Sequence, residues 1–187
     1  YFITIQFNKM FKYKTEAELE KMTPEQRDIY SEQKRAFEAE STQKMIADAI
    51  AKATGLKVVY DEAWREAAFG EWDGLTIAQV KELYPNEWLA WVSSTGATAG
   101  SSGESYDDVA ARSDLALSNL ALEHPGKTII VVTHNYVIRT LVASVLGASM
   151  ESVYHLDVLP CSITTVNTWA SDGLRALRSM SERSHLK

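Results

Sequence analysis

The feature that most constrains this chain is the run Thr128-Ile129-Ile130-Val131-Val132-Thr133-His134-Asn135. Apolar and β-branched residues follow one another without a charge, then stop at Thr-His-Asn. A short continuous apolar run bounded by turn signals reads as a buried strand, with Gly126 as the turn before it. The next stretch, Val137 to Gly147, is apolar at helical spacing, and Gly147 fits a helix C-terminus. His134 therefore stands where a buried strand ends and a helix begins. In open α/β sheets the crevice at the carboxyl ends of the strands is where ligands bind. On position alone, a histidine satisfied by nearby backbone is an equally good reading.

The rest of the chain supports an α/β class. Tyr1 to Ile5 is β-rich and reads as an opening strand. From Lys12 to about Ile50 the sequence is charged and helix-favouring. Thr23-Pro24-Glu25-Gln26 carries a helix start, and Ser41 to Lys44 is expected to open a second helix closed by Gly55. Met45, Ile46, Ala49, Ile50 and Ala53 give that helix a core face. Leu56 to Tyr60 then reads as a strand, so helix, glycine and strand alternate as in a parallel sheet. Two tryptophans and two glycines between Trp64 and Gly74 suggest a packed loop. Thr76 caps a helix that is expected to end at Pro85-Asn86, and Glu87 to Val92 reads as a further apolar turn. The Ser-, Thr-, Gly- and Ala-rich stretch 93–102 looks flexible, which predicts a mobile cover over a pocket. Ser105 caps a long helix from Tyr106 to about Glu123, with Asp107 and Asp108 in its first turn. Residues 162–169 and 174–178 read as a hairpin around Ser171-Asp172-Gly173.

Composition narrows the functional classes. The chain has 187 residues, 45% of them hydrophobic and 24% charged, with a net charge of -6. No basic stripe is present, which argues against nucleic acid and anionic membrane surfaces as partners. A local group of arginines can still bind a small anion. The single cysteine, Cys161, offers no disulfide framework or thiolate metal site and fits the cytoplasm. No apolar run reaches the length of a membrane span, and no signal-peptide pattern is visible.

Three motifs in order then carry a resemblance. They are Trp64-Arg65-Glu66-Ala67-Ala68-Phe69-Gly70-Glu71-Trp72-Asp73-Gly74-Leu75-Thr76, Gly103-Glu104-Ser105, and Val131-Val132-Thr133-His134 with Ile138-Arg139 following. From about Ala47 to the C-terminus the chain resembles the histidine phosphatase superfamily, the phosphoglycerate-mutase-like group, in its small acid or α-ribazole phosphatase branch. The resemblance implies one domain over 1–187 with a three-layer α/β/α sandwich and a mostly parallel central sheet. The charged helical segment at about 12–44 is its divergent part. It also implies a phosphomonoester hydrolase of the phospho-histidine type, independent of metal or cofactor, acting on a small phosphorylated metabolite. Inorganic phosphate is then a ligand, and a homodimer is compatible with the family.

In this resemblance His134 gives a hydrogen bond and positive charge to the phosphoryl oxygens, and Glu66 protonates the leaving oxygen. Arg35, Asn135, Gly103, Glu104 and Ser105 are the expected substrate-binding residues. The residue types suit the chemistry. Phosphoryl transfer depends on positioning and on neutralising charge at the equatorial oxygens. A carboxyl desolvated beside Trp64, Phe69 or Trp72 acquires the raised pKa a general acid needs.

One part of the pattern is missing. An Arg-His-Gly motif should follow the opening strand and supply the attacking histidine, but the chain reads Gln6-Phe7-Asn8 there, and its first histidine is His124. Ser31 to Ala36 matches the family's second arginine motif only at Ser31, Arg35 and Ala36. Two expectations follow: an enzyme whose nucleophile lies upstream of Tyr1, or a catalytically inactive relative that acts by binding, with the 12–44 segment as its interaction surface.

Overall fold

The structure is a computed structural model that describes residues 2–4 and 16–186, with side chains described for 18–30 and 43–186. Strand β1 (Phe2–Thr4) lies between β2 (Val58–Tyr60) and β3 (Ile130–Val132), and both pairings are parallel. Ile3 is level with Val59 on one side and Val131 on the other. A parallel neighbour must return by a crossover, and the helices supply it. The outcome is the expected α/β class, with a parallel sheet and helices between its strands.

Helix α1 (Glu16–Glu20) is short. Helix α2 (Pro24–Thr54) is one continuous helix of 31 residues that packs on all three strands. The expected second start at Ser41 is therefore overturned. No glycine or proline falls between Pro24 and Gly55, and a serine inside a long helix is too weak a signal to stop it. Thr23 caps its start reciprocally with Gln26, and Gly55 closes it at φ 70°.

Helix α3 (Ile77–Leu83) begins at a Thr76 and Gln79 capping box. Pro85 does not merely end it: the proline sits at the first position of α4 (Pro85–Ser93), where its missing N–H costs nothing. The expected apolar turn at 87–92 is thus a helix. Helix α5 (Tyr106–Glu123) starts at Ser105, whose hydroxyl accepts from the Asp108 amide at 3.1 Å. Helix α6 (Asn135–Val145) follows β3 and packs along α5. The hairpin β4 (Ile163–Thr168) and β5 (Arg175–Glu182) is antiparallel and separate from the parallel sheet. Arg175 ties it to α5 through Asp114 and, at 2.7 Å, Ser118.

Two apolar clusters meet behind the end of β3. In one, Trp64, Ala67, Val109, Ala116, Leu120 and Val137 pack together, flanked by Ile129 and Val131. The other is aromatic: Trp72, Trp91 and Tyr106 pack with Val80, Ala99, Ala143 and Val153. Trp91 stacks on Tyr106 at 5.1 Å and meets Trp72 edge-on at 5.8 Å, the arrangements aromatic quadrupoles favour. Phe69 and Tyr136 touch both clusters, so the 64–72 loop and the start of α6 are held by one continuous core. Among the described residues no helix is long and apolar enough to cross a membrane.

Stretch 93–102, expected to be mobile, is a packed loop. Thr95 is 5% exposed and Ala99 is fully buried. The Glu71 carboxylate accepts the Ser101 amide at 2.8 Å, the Ser102 amide at 3.2 Å and the Ser101 hydroxyl. Small residues are needed here for close approach: a Cβ on Gly100 would meet Glu71 Oε2 at 2.5 Å.

Candidate active site

β3 ends at Val132, and the next two residues turn the chain into α6. The Thr133 hydroxyl donates to the Trp64 carbonyl at 2.7 Å, which joins this turn to the 62–72 loop. His134 is the N-cap of α6 in extended conformation, and its side chain makes no cap hydrogen bond. Its Nε2 is buried without a hydrogen-bond partner among the described residues. Burial, helped by the positive charge of Arg112, pushes its pKa down to about 4. The imidazole is thus neutral at pH 7 in the free protein, whereas the resemblance implies a positive charge on it when a phosphoryl group is bound. A phosphoryl dianion beside Nε2 would restore that charge by the same electrostatics acting in the opposite sense.

Glu66 reaches the same turn from the other side. Its Oε1 accepts the Ala67 amide at 3.0 Å and the Tyr136 amide at 3.3 Å, in the first turn of α6. Burial raises its pKa to about 7, against the opposing pull of those amides and of Arg112. A carboxyl poised at that value can hold a proton near neutrality and give it up to a strong base. Glu66 and His134 therefore meet at one turn of chain, and the charge of Arg112 acts on both. Tyr136, also raised by burial and by the Glu66 charge, packs beside them.

A second layer holds the loop. Arg112 on α5 donates from Nη1 to the Ala63 carbonyl at 2.8 Å and from Nη2 to the Glu66 carbonyl at 3.2 Å. Its remaining donors meet Glu104: Nε to Oε1 at 2.8 Å and Nη2 to Oε2 at 3.1 Å. Arg65 meets the same carboxylate from the other side, at 2.8 Å between Nη2 and Oε1 and through a shorter Nη1 contact with Oε2. Burial alone would raise the Glu104 pKa, but the two guanidiniums and the Ala68 amide outweigh it and hold the carboxyl near 2. Arg65 and Arg112 come together on Glu104 from a loop and a helix far apart in the chain. Their meeting spans a separation in sequence that no local motif encodes.

The remaining expected site residues fall as follows. Glu104 is engaged by both arginines and, at 2.9 Å, by the Ala68 amide. Gly103 lies against backbone: a Cβ there would stand 2.0 Å from the Ala99 carbonyl oxygen and 2.7 Å from that of Ala68. Ser105 is 4% exposed and spends its hydroxyl on the α5 cap. Asn135 donates from Nδ2 to the Val158 carbonyl at 2.9 Å, fixing α6 to the connection ahead of the hairpin. Arg35 lies in α2, with its side chain outside the described residues, as do Gln6, Phe7 and Asn8 altogether. His124 caps the end of α5, and His155 and His185 lie in short 3-10 turns away from this one.

Comparison with known proteins identifies the family. Residues 13–180 match the histidine phosphatase superfamily (branch 1). The chain is 33% identical over 138 residues to a bifunctional protein of Mycobacterium tuberculosis, covering 73% of this chain and 37% of that one. It is 32% identical over 143 residues to phosphoglycerate mutase-like protein 4 of Arabidopsis thaliana, covering 74% and 60% respectively. Less than two thirds of each of these relatives is spanned. The solved structure of mycobacterial glucosyl-3-phosphoglycerate phosphatase superposes with a TM-score of 0.66 at 27% identity, covering 76% of this chain and 74% of that one. The chain belongs to the histidine phosphatase superfamily, branch 1.

Proposed function

We propose that the protein is a phosphomonoester hydrolase acting on a small phosphorylated metabolite at the turn between β3 and α6. The observation that carries this reading is the pairing of the Glu66 carboxyl, of pKa about 7 and bonded to the Tyr136 amide, with a buried His134 imidazole nitrogen that has no hydrogen-bond partner among the described residues. Relatives add support. The mycobacterial glucosyl-3-phosphoglycerate phosphatase, 29% identical here with a TM-score of 0.62, has been solved with inorganic phosphate, and at 28% with a vanadium oxyanion. In this reading the phosphoryl group lies against His134, whose imidazole donates to an equatorial oxygen. An attacking imidazole bonds to phosphorus as the ester P–O bond breaks, Glu66 gives its proton to the departing alkoxide, and water then hydrolyses the phospho-histidine to release phosphate. Gly103, Glu104 and Ser105 act from behind, and Asn135 fixes the helix that presents the turn. Arg35 stays the proposed second phosphate ligand by its motif. The lone exposed cysteine, Cys161, suits a cytoplasmic setting.

A second reading has its own observation. The phospho-histidine route needs an attacking imidazole, and the resemblance puts it where this chain has Gln6-Phe7-Asn8. Phenylalanine has no lone pair to attack phosphorus. The protein then binds a phosphorylated ligand without turning it over.

One experiment separates the two. The purified chain is incubated with a nitrophenyl phosphate and an alkyl phosphate at mildly acidic pH without added metal, and phosphate release is measured. Under the hydrolase reading, His134→Ala abolishes release. Glu66→Gln slows the alkyl ester by roughly 100-fold or more and the nitrophenyl ester much less, because only the poor leaving group needs the proton. No release, with inorganic phosphate or vanadate still raising the melting temperature, establishes binding without turnover. Neither release nor protection removes both readings.

A further inference from the structure

We propose that Arg112 is the positioning residue of this site: locked by Glu104, its guanidinium fixes the loop before and at Glu66 and so sets where the Glu66 carboxyl points. The inference deepens the reading of Glu66 as general acid and rests on it.

A loop carboxylate has no intrinsic reason to hold one direction. Here the backbone around Glu66 is fixed at three places. Before it, the Ala63 carbonyl accepts Arg112 Nη1 at 2.8 Å. At it, the Glu66 carbonyl accepts both Arg112 Nη2 and Arg65 Nη1, each at 3.2 Å. After it, Ala68 exchanges two hydrogen bonds with Glu104, its amide donating to Oε2 at 2.9 Å and its carbonyl accepting the Glu104 amide at 2.7 Å. With the backbone held, the Glu66 side chain is left to the Ala67 and Tyr136 amides.

A guanidinium suits this post because its rigid fork places several donors in one plane. Arg112 uses Nε, Nη1 and Nη2 on three acceptor groups at once, and a lysine ammonium cannot reproduce that geometry. Glu104 adds the constraint that matters most, since it binds Arg112 and Arg65 together and leaves the three groups with a net charge of +1. The groups acting on the Glu66 carboxyl are Arg112 from α5, the Asn135 and Tyr136 amides and the Tyr136 ring from α6, and the Ala67 amide from its own loop, while Arg65 bonds the Glu66 carbonyl. Arg112 is the cation acting on both Glu66 and His134. It therefore couples the acid to the phosphate-facing imidazole.

The test uses Arg112→Lys and Arg112→Gln in the full chain, with folding verified from amide spectra. The Glu66 side-chain carboxyl is titrated by carbon NMR, and the amide protons of Ala67 and Tyr136 are followed with pH. In the wild type both amides shift with the Glu66 titration. Arg112→Lys keeps the charge but loses the fork, so that coupled amide response is expected to shrink by more than half. Arg112→Gln loses the charge as well, and the Glu66 titration is expected to move up by about 1 unit. A folded Arg112→Lys and Arg112→Gln pair with wild-type titration and wild-type amide response overturns the proposal, even if both melt earlier. None of these readouts needs turnover. An absence of phosphate release by the wild type would count against the hydrolase reading alone. If the wild type is active, Arg112→Lys should reproduce the leaving-group pattern of Glu66→Gln, and equal losses on both esters would also count against it.

Discussion

At the scale of single residues, the site is defined by two groups whose environments push them in opposite directions. Glu66 is raised from 4.5 to about 7 and His134 lowered from 6.5 to about 4, each first by burial. Both changes favour the neutral form, which is what desolvation does to any ionisable group. The consequences for stability have opposite signs. Between pH 4.5 and 7 the unfolded chain has released the Glu66 proton while the folded chain still holds it, so stability falls as pH rises through that window. Between pH 6.5 and 4 the unfolded chain binds a proton at His134 that the folded chain refuses, so stability falls as pH falls. In the overlap the two slopes offset each other. Glu66→Gln removes the first and leaves the second. It should match the wild type near pH 4 and exceed it by about 2 kcal/mol at pH 8, allowing for a half-buried carboxyl. Chemical denaturation at the two pH values reads this directly, and an equal difference at both would show that Glu66 titrates as an ordinary surface carboxyl.

At the scale of elements, the loop 94–104 shows how the site is framed. It is anchored at one end by the α5 cap and at the other by α4, and its tip hangs on Glu71. Hydrogen bonds from Ser101 hold the Glu71 pKa near 2. Glu71→Ala should therefore leave α5 intact but speed amide exchange at Ser101 and Ser102 by at least about 10-fold, the measure of a local opening made easier. Unchanged exchange there would mean that the buried Ala99 and Thr95 hold the loop without help. This is also where legibility in the sequence divides. Thr23, Thr76 and Ser105 were readable as caps because a cap needs only a hydroxyl and its neighbours three residues on. Strand, turn and helix around His134 were readable from apolar periodicity alone. The 93–102 loop was not, because Ser, Gly and Ala are the residues of flexible linkers and equally of tight packing, and only the partner decides which. Glu71 is that partner, some 30 residues away. The Arg65, Glu104 and Arg112 cluster is hidden for the same reason: the partners that engage Glu104 come from two other elements of the chain.

At the scale of the whole molecule, the proposed function asks a chain of net charge -6 to attract an anion, so local geometry must override the global field. The Arg65, Glu104 and Arg112 group contributes a net +1 beside the turn, and a protonated Glu66 adds no negative charge. Above pH 7 that changes, since Glu66 becomes a carboxylate next to the proposed phosphoryl position. His134 is neutral in the free protein, and under the proposed function a bound dianion would favour its protonated form. Both effects make anion binding take up or retain protons, so affinity should fall as pH rises from 6 to 9. Inorganic phosphate complicates the reading, because its own second ionisation adds negative charge over the same range. Sulfate, which keeps a constant charge, isolates the protein's contribution. At a concentration about 100 times its dissociation constant at pH 6, a ligand contributes about 2.7 kcal/mol, or a melting shift of roughly 5 to 10 °C for a chain of this size. At pH 9 the same sulfate concentration should give less than half that shift, and Glu66→Gln should recover part of the loss because its amide cannot ionise. Equal protection at both pH values in the wild type would place the anion away from Glu66 and His134, and the turn that ends β3 would then be a structural junction rather than a phosphate site.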